Sequence, residues 1–153
     1  MRKEAVLEAK SLLQDGEIAV LSTLSNSMEG YPFGSMVQFL SLENGNICLF
    51  ISDLAQHTKN LTKDNKLSLT VLQKDKLGAA NAARITLLGQ AKRKPRQDSL
   101  ESIALFCQKY RDAEQYAELG DFYIWEIDVE RVRFIAGFGQ IFWLEKEEWY
   151  EES

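Results

Sequence analysis

Short stretches in which apolar and polar residues alternate recur along most of the chain, and this period-two pattern limits it to a mainly β architecture. Glu17–Leu24 sets Ile18, Val20 and Leu24 on one face against Ala19, Leu21 and Thr23 on the other. Tyr31–Leu42 reads as a second extended run after the loop Ser25–Gly30, and Asn44-Gly45 joins it to Ile47–Ile51. Asn-Gly is a strong hairpin signal because both residues tolerate positive φ, so these two strands are expected to be antiparallel neighbours. Leu67, Leu69 and Val71, then Arg84–Ala91, then Phe122–Val129 and Arg131–Ala136 continue the series, with Phe142–Leu144 as an extension. Roughly six or seven strands and two or three helices result. So many antiparallel strands in 153 residues suggest a small barrel that closes its own edges.

The helices have different signatures. Ala5, Val6, Ala9, Leu12 and Leu13 fall at helical spacing and Asp15-Gly16 stops them, so residues 1–16 form an amphipathic helix lying across the sheet. Ser52-Asp53 caps a short helix over Leu54–Leu61. Asp98-Ser99-Leu100-Glu101 resembles a capping box, followed by a stripe of Leu100, Ile103, Cys107 and Tyr110, with a further turn near Ala113–Leu119. The basic run Lys92–Arg96, with its proline, reads as the charged end of an edge strand. Gly137-Phe138-Gly139 lacks the third glycine of a dinucleotide fingerprint and reads as a bend or bulge. The glutamates from Glu145 to Glu152 read as a solvated acidic tail over 145–153.

Composition removes several function classes. Hydrophobic residues are 45% and charged residues 27%, which fits one globular domain over 1–153. Apolar runs such as IAVL and ICLFI are far too short to cross a bilayer, and the Met1-Arg2-Lys3-Glu4 start lacks a signal peptide's apolar stretch; no membrane partner and a cytoplasmic location are expected. A net charge of −5 weighs against nucleic-acid binding through a broad basic surface. Cys48 and Cys107 lack metal or redox spacing and read as small buried thiols. His57 is the sole histidine, which excludes a multi-histidine zinc site and makes it the only imidazole available for chemistry.

The blocks GYPFGSMVQFL, ICLFISDLAQHTKNLTKDNKLSLTV, RITLLGQA, GDFYIWEIDVERVRF and AGFGQIFWL occur in an order that resembles the FMN-binding split barrels related to pyridoxamine 5′-phosphate oxidase, in particular their haem-utilisation branch. The similarity runs over nearly the whole chain. It implies a six-stranded antiparallel split β-barrel with flanking helices, and a homodimer with two cofactor sites at the subunit interface. Ser52, Thr58, Lys59 and Asn60 then offer hydroxyl, ammonium and amide groups to the FMN phosphate; read without the family they make a polar capping turn. The flavin ring would lie along Ser35, Met36, Val37 and Gln38 and along Phe50, Ile51 and Ser52, residues whose other role is sheet packing. Gln140 and Trp143 would reach the partner's flavin.

The same resemblance supports a haem alternative. His57, Arg84 and Asp121 match positions that haem-degrading relatives place near the porphyrin or behind its axial ligand. In those relatives the axial histidine comes from a C-terminal extension, whereas this sequence has no histidine after His57, leaving Tyr150 as a candidate tyrosinate ligand. His57 has three readings: hydrogen-bond donor to FMN, haem ligand, or local packing. The leading expectation is an FMN flavoprotein that oxidises or reduces a small molecule; the alternatives are haem binding or degradation, and a flavin module without turnover. No catalytic residue is assigned. Oxidation of pyridoxamine phosphate is not expected, because EKEEWYEES does not match the basic substrate-binding segment of the true oxidases.

Overall fold

The computed structural model describes residues 2–137 and 139–151. Helix α1 (Arg2–Asp15) leads into β1 (Ile18–Leu24), β2 (Pro32–Gln38), β3 (Leu40–Ser41) and β4 (Ile47–Ser52). Helix α2 (Gln56–Lys63) connects β4 to β5 (Lys66–Leu72), and β6 (Arg84–Arg93) follows. Helices α3 (Leu100–Lys109) and α4 (Ala113–Ala117) precede the long strand β7 (Phe122–Gly137), β8 (Gln140–Glu145) and α5 (Lys146–Glu151). The strands form one antiparallel sheet in the order β2-β1-β5-β6-β7-β4-β3, with β8 also on β7. The sheet curls until β2 touches β4. No hydrogen-bonded ladder joins those two strands, so the barrel is split along them.

β4 explains its unbroken apolar run by being covered on both faces. Ile47, Leu49 and Ile51 enter the main core with Ala5, Val6, Ala9 and Leu13 of α1. Cys48 and Phe50 face the other way, into a smaller core with Phe106, Tyr110 and Ala113 from the α3–α4 region. Cys48 is fully buried, Cys107 half-buried, and both are free thiols. On α3 the buried residue is Phe106, while Leu100 is 64% exposed, so the inward stripe is centred later than the alternation of Leu100, Ile103 and Cys107 predicts.

Two other expectations change, and a third holds locally. The run Tyr31–Leu42 breaks at Phe39: β2 pairs with β1, and only Leu40–Ser41 pairs with β4. The hydroxyl of Tyr110 donates to the Phe39 carbonyl at 2.5 Å and accepts its N–H at 3.3 Å, satisfying the backbone where the ladder is interrupted. β6 is an interior strand as far as Gln90, where its register with β5 ends; Lys92 and Arg93 run on with β7 as their one ladder partner, so the basic run ends a strand on a locally open edge, as its charge and proline predict. Arg93 forms an ion pair with Asp53 at 2.9 Å and stacks over Tyr123 at 3.6 Å. The acidic tail is a helix up to Glu151, and Glu152 lies outside the described residues. Trp149 is 1% exposed and donates to the Gly45 carbonyl at 2.8 Å. The Arg2 guanidinium grips the Glu148 carboxylate at 2.6 and 2.7 Å and pulls its pKa down to about 2, tying α5 to α1. The Gly137–Gly139 element behaves as a bulge, with a register shift between Ile135 and Gly137; Phe138 lies outside the described residues. Among the described residues no helix is long and apolar enough to cross a membrane.

A second bulge falls at Leu88/Gly89, where the register passes from Arg131 to Val129 and leaves Glu130 of β7 without a partner on β6. A Cβ at Gly89 would meet the backbone carbonyl oxygen of Asp128 at 2.3 Å, which no side-chain rotation relieves. Gly89→Ala is therefore expected to destabilise the protein by about 2–3 kcal/mol, read as a lower denaturant midpoint with an unchanged m-value. An unchanged midpoint would show that the two strands separate freely at this position.

Candidate functional site

The split between β2 and β4 is where the two ends of the curled sheet meet without pairing, and α2 and α4 lie at that seam. α2 is held in place by Asn60, which is completely buried. Its amide nitrogen donates to Thr23 Oγ1 at 2.9 Å, and its oxygen accepts the Asn26 N–H at 3.0 Å and the Gln56 amide at 2.9 Å. All three contacts are internal and the side chain is completely buried, so Asn60 fixes α2 to β1 and the following loop and is closed to a phosphate. The helix starts later than Ser52-Asp53 suggests. Ser52 instead accepts the Leu54 N–H at 3.1 Å and donates to the Asp121 carboxylate at 2.7 Å, joining β4 to the start of β7.

A recess of about 330 Å³ occupies the seam, lined by Met36–Gln38 of β2, Phe50–Ser52 of β4, His57, Tyr116 and Phe122 among others. It is at the lower end of the range for small-molecule sites, about 300–1,000 Å³. Its aromatic side is ordered: the ring centroids of Tyr116 and Phe122 are 4.7 Å apart, and Phe50 lies 5.7 Å from Phe122. The Tyr116 hydroxyl donates to Gln38 Oε1 at 2.6 Å. Ser35 Oγ is 3.0 Å from His57 Nδ1, and His57 Nε2 is buried with no partner. Burial lowers the His57 pKa below its ordinary 6.5, so the imidazole is neutral at neutral pH.

The seam thus gathers Met36, Val37, Gln38, Phe50, Ile51, Ser52 and His57, with Ser35 behind the histidine. Thr58 and Lys59 line a separate groove with Asn26, Asp53, Thr62 and Lys63, where the buried Thr58 hydroxyl has no partner. Arg84 is bonded to the carbonyl oxygens of Ala80 and Ala82 at 3.4 and 3.2 Å, and Asp121 is bonded to Ser52; the haem trio of His57, Arg84 and Asp121 is not assembled within this chain. Gln140 and Trp143 are on β8, outside the recess lining, and Arg131 stacks over Trp143 at 4.1 Å. Tyr150 as an iron ligand is corrected by its bonding: its hydroxyl donates to Asn46 Oδ1 at 2.6 Å and accepts the Val129 N–H at 2.7 Å. Tyr116 and Phe122 were not anticipated. The aromatic residues around the 110–122 turn are a compositional hint, but no periodicity marks which of them faces β4.

Comparison with known proteins places the chain among its relatives. The family model described as CREG, beta-barrel matches residues 1–151. The chloroplastic haem oxygenase HOZ of Arabidopsis thaliana is 34% identical over 143 residues, covering 92% of this chain and 43% of that protein, so the chain spans less than half of its length. A haem-binding protein of Mycobacterium smegmatis has a solved structure with TM-score 0.86 at 28% identity, over 96% of this chain and 60% of that one. HutZ, a haem storage protein of Vibrio cholerae, shares the fold at TM-score 0.71 and 24% identity, over 86% of this chain and 94% of that one. So does a pyridoxinephosphate oxidase-family protein of Clostridium acetobutylicum, at TM-score 0.74 and 18% identity over 97% and 99%.

With one histidine in the chain, its titration is directly readable. The folded pKa is expected below 6.5, and the stability His57 contributes should be complete above that value and decline as pH falls through it toward the folded pKa. NMR titration gives the pKa, and denaturant midpoints at about pH 8 and about pH 5 give the linkage, which His57→Phe should reduce. A folded pKa above 6.5 would contradict the burial of the ring.

Proposed function

The chain belongs to the CREG β-barrel family, and from that premise we propose that it is a haem-binding protein whose ligand enters the β2–β4 seam, acting as a homodimer. The observation that carries this reading is the recess itself. A flat aromatic ligand matches walls formed by Phe50, Tyr116 and Phe122, and His57, whose buried Nε2 has no partner, lines the same space. Haem, when bound, supplies the redox chemistry of its iron. The protein contributes apolar contact from Met36, Val37 and Phe50, an aromatic cover from Tyr116, and one imidazole from His57. The similarity to HOZ and to the mycobacterial haem-binding protein favours haem as the ligand.

The recess is small for a macrocycle, and the outer sheet face supplies a way to enlarge it. One registered row crosses six strands, Met36-Val20-Thr70-Thr86-Arg133-Trp143, and it shares Met36 with the recess. Met36 is 71% exposed, and Val20, Ile18 and Ile141 are also exposed on this sheet. Apolar surface of this extent favours a protein partner. A second copy placed there would extend the recess and bring Trp143 and Arg84 of one chain toward the other's seam.

FMN is the second reading. Its specific support is the Thr58–Lys59–Lys63 groove beside the recess, where a buried free hydroxyl and two ammonium groups suit a phosphate. Flavin chemistry is otherwise supported by the pyridoxinephosphate oxidase-family neighbour, which shares the fold alone.

Titration with ferric haem is expected to shift the Soret band and saturate, with Phe50→Ala and Tyr116→Ala weakening uptake about 10-fold each. Met36→Asp should yield a monomer in sedimentation and reduce uptake as well. A folded wild-type protein without a Soret shift would sink the haem reading, and a flavin spectrum in the same preparation would replace it with FMN. Loss of the Soret band under reductant and air would extend binding to breakdown.

A further inference from the structure

The stretch from Arg111 to Gly120, which contains α4, is held firmly at both ends and loosely between them. At its start the Tyr110 hydroxyl is bonded to the carbonyl oxygens of Phe39 at 2.5 Å and Glu17 at 2.9 Å. At its end the Asp121 carbonyl accepts the Asp53 N–H at 2.8 Å, and its carboxylate accepts the Ser52 hydroxyl at 2.7 Å. Between these anchors Ala113 alone is buried. Among the described residues every hydrogen bond of the stretch is a local turn except one, from the Tyr116 hydroxyl to Gln38 Oε1 at 2.6 Å. Gly120 supplies a hinge, with a φ of 84° and nothing within 4 Å of where a Cβ would stand.

That one bond crosses the seam. Gln38 ends β2, whereas the Tyr116 ring rests on the far side, against Phe122 at 4.7 Å and Phe50 at 6.0 Å. All four residues line the recess. We propose that residues 111–120 form a flap across the recess, latched by Tyr116 and Gln38, and that the ligand enters when the latch opens. With the flap down the recess of about 330 Å³ is small for a macrocycle, and lifting Tyr116 removes one of its walls. A helix of five residues does not hold itself together in water, so α4 loses its turns once it leaves the seam. The role as a gate rests on the seam being the ligand site, as proposed above; the flap itself does not.

Amide hydrogen exchange of the ligand-free protein reads the flap directly. The amides of Gln115 and Leu119, bonded to the Asp112 and Tyr116 carbonyls, are expected to exchange well ahead of those in β4 and β7. Tyr116→Phe, which keeps the ring, and Gln38→Leu should each speed them about 5-fold, the equivalent of one net hydrogen bond, with the strand amides unchanged. The double variant should match the singles, because either change already breaks the bond. In stopped flow the same variants should raise the association rate of ferric haem, read at the Soret band, by about 5-fold, in proportion to the open population. Flap amides that exchange no faster than the strands, or that ignore both substitutions, would overturn the flap, as would a double variant that exceeds the singles. Faster exchange with unchanged haem association would overturn the gate. If ferric haem does not bind, FMN association followed by its fluorescence takes the same test, and the haem reading alone fails. If neither binds, the seam reading fails and the gate with it, and the exchange rates alone decide whether the flap exists.

Discussion

The curled sheet leaves β2 and β4 side by side without a ladder between them, and the remaining structure is organised around that unpaired seam. Two strand edges facing each other carry backbone donors and acceptors that need partners, and a barrel normally removes such edges by closing. Here the ladder on β1 ends at Gln38 and the one on β4 begins at Leu40, with the Tyr110 hydroxyl bonded to both backbone groups of Phe39 between them. α3 and α4 can then pack beneath β4, and α2 can be anchored over β1 and β2 by Asn60. The recess is the space these helices leave between the two edges.

The strands were largely legible because alternation along one chain segment reports directly on a half-buried sheet. The interruption of β2 was not, since Phe39 is as apolar as its neighbours and the group that breaks the ladder lies 71 residues away. The C-terminal segment misled for a related reason. Its glutamates outnumber its apolar residues, yet Trp149 and Tyr150 decide its fate by docking on the Gly45 turn, whose φ of 95° is accessible to glycine at low cost. Lys92–Arg96 was legible as the charged end of a strand, whereas the stacking of Arg93 on Tyr123 that accommodates it is tertiary.

For the site, the β2 and β4 residues were identified through family resemblance, and the seam places them together with His57. The polar residues of α2 divide between environments that sequence proximity conceals. Asn60 turns inward, Thr58 and Lys59 turn to a neighbouring groove, and only His57 enters the recess. Helical geometry separates them, since residues adjacent in sequence point about 100° apart. Tyr116 stayed hidden because α4 is too short to display a period.

The balance between the two ligand readings follows from the same geometry. The recess has aromatic walls, one imidazole and an exposed apolar sheet beside it, and the haem-binding reading proposed above rests on these features together with the similarity to haem-named proteins. The most direct test of the seam as the ligand site is amide NMR during addition of ferric haem, whose unpaired electrons broaden nearby signals. The account predicts that resonances of residues 36–38, 50–52, 57 and 116 broaden first. Undisturbed signals at these positions, with broadening centred elsewhere on the chain, would contradict it.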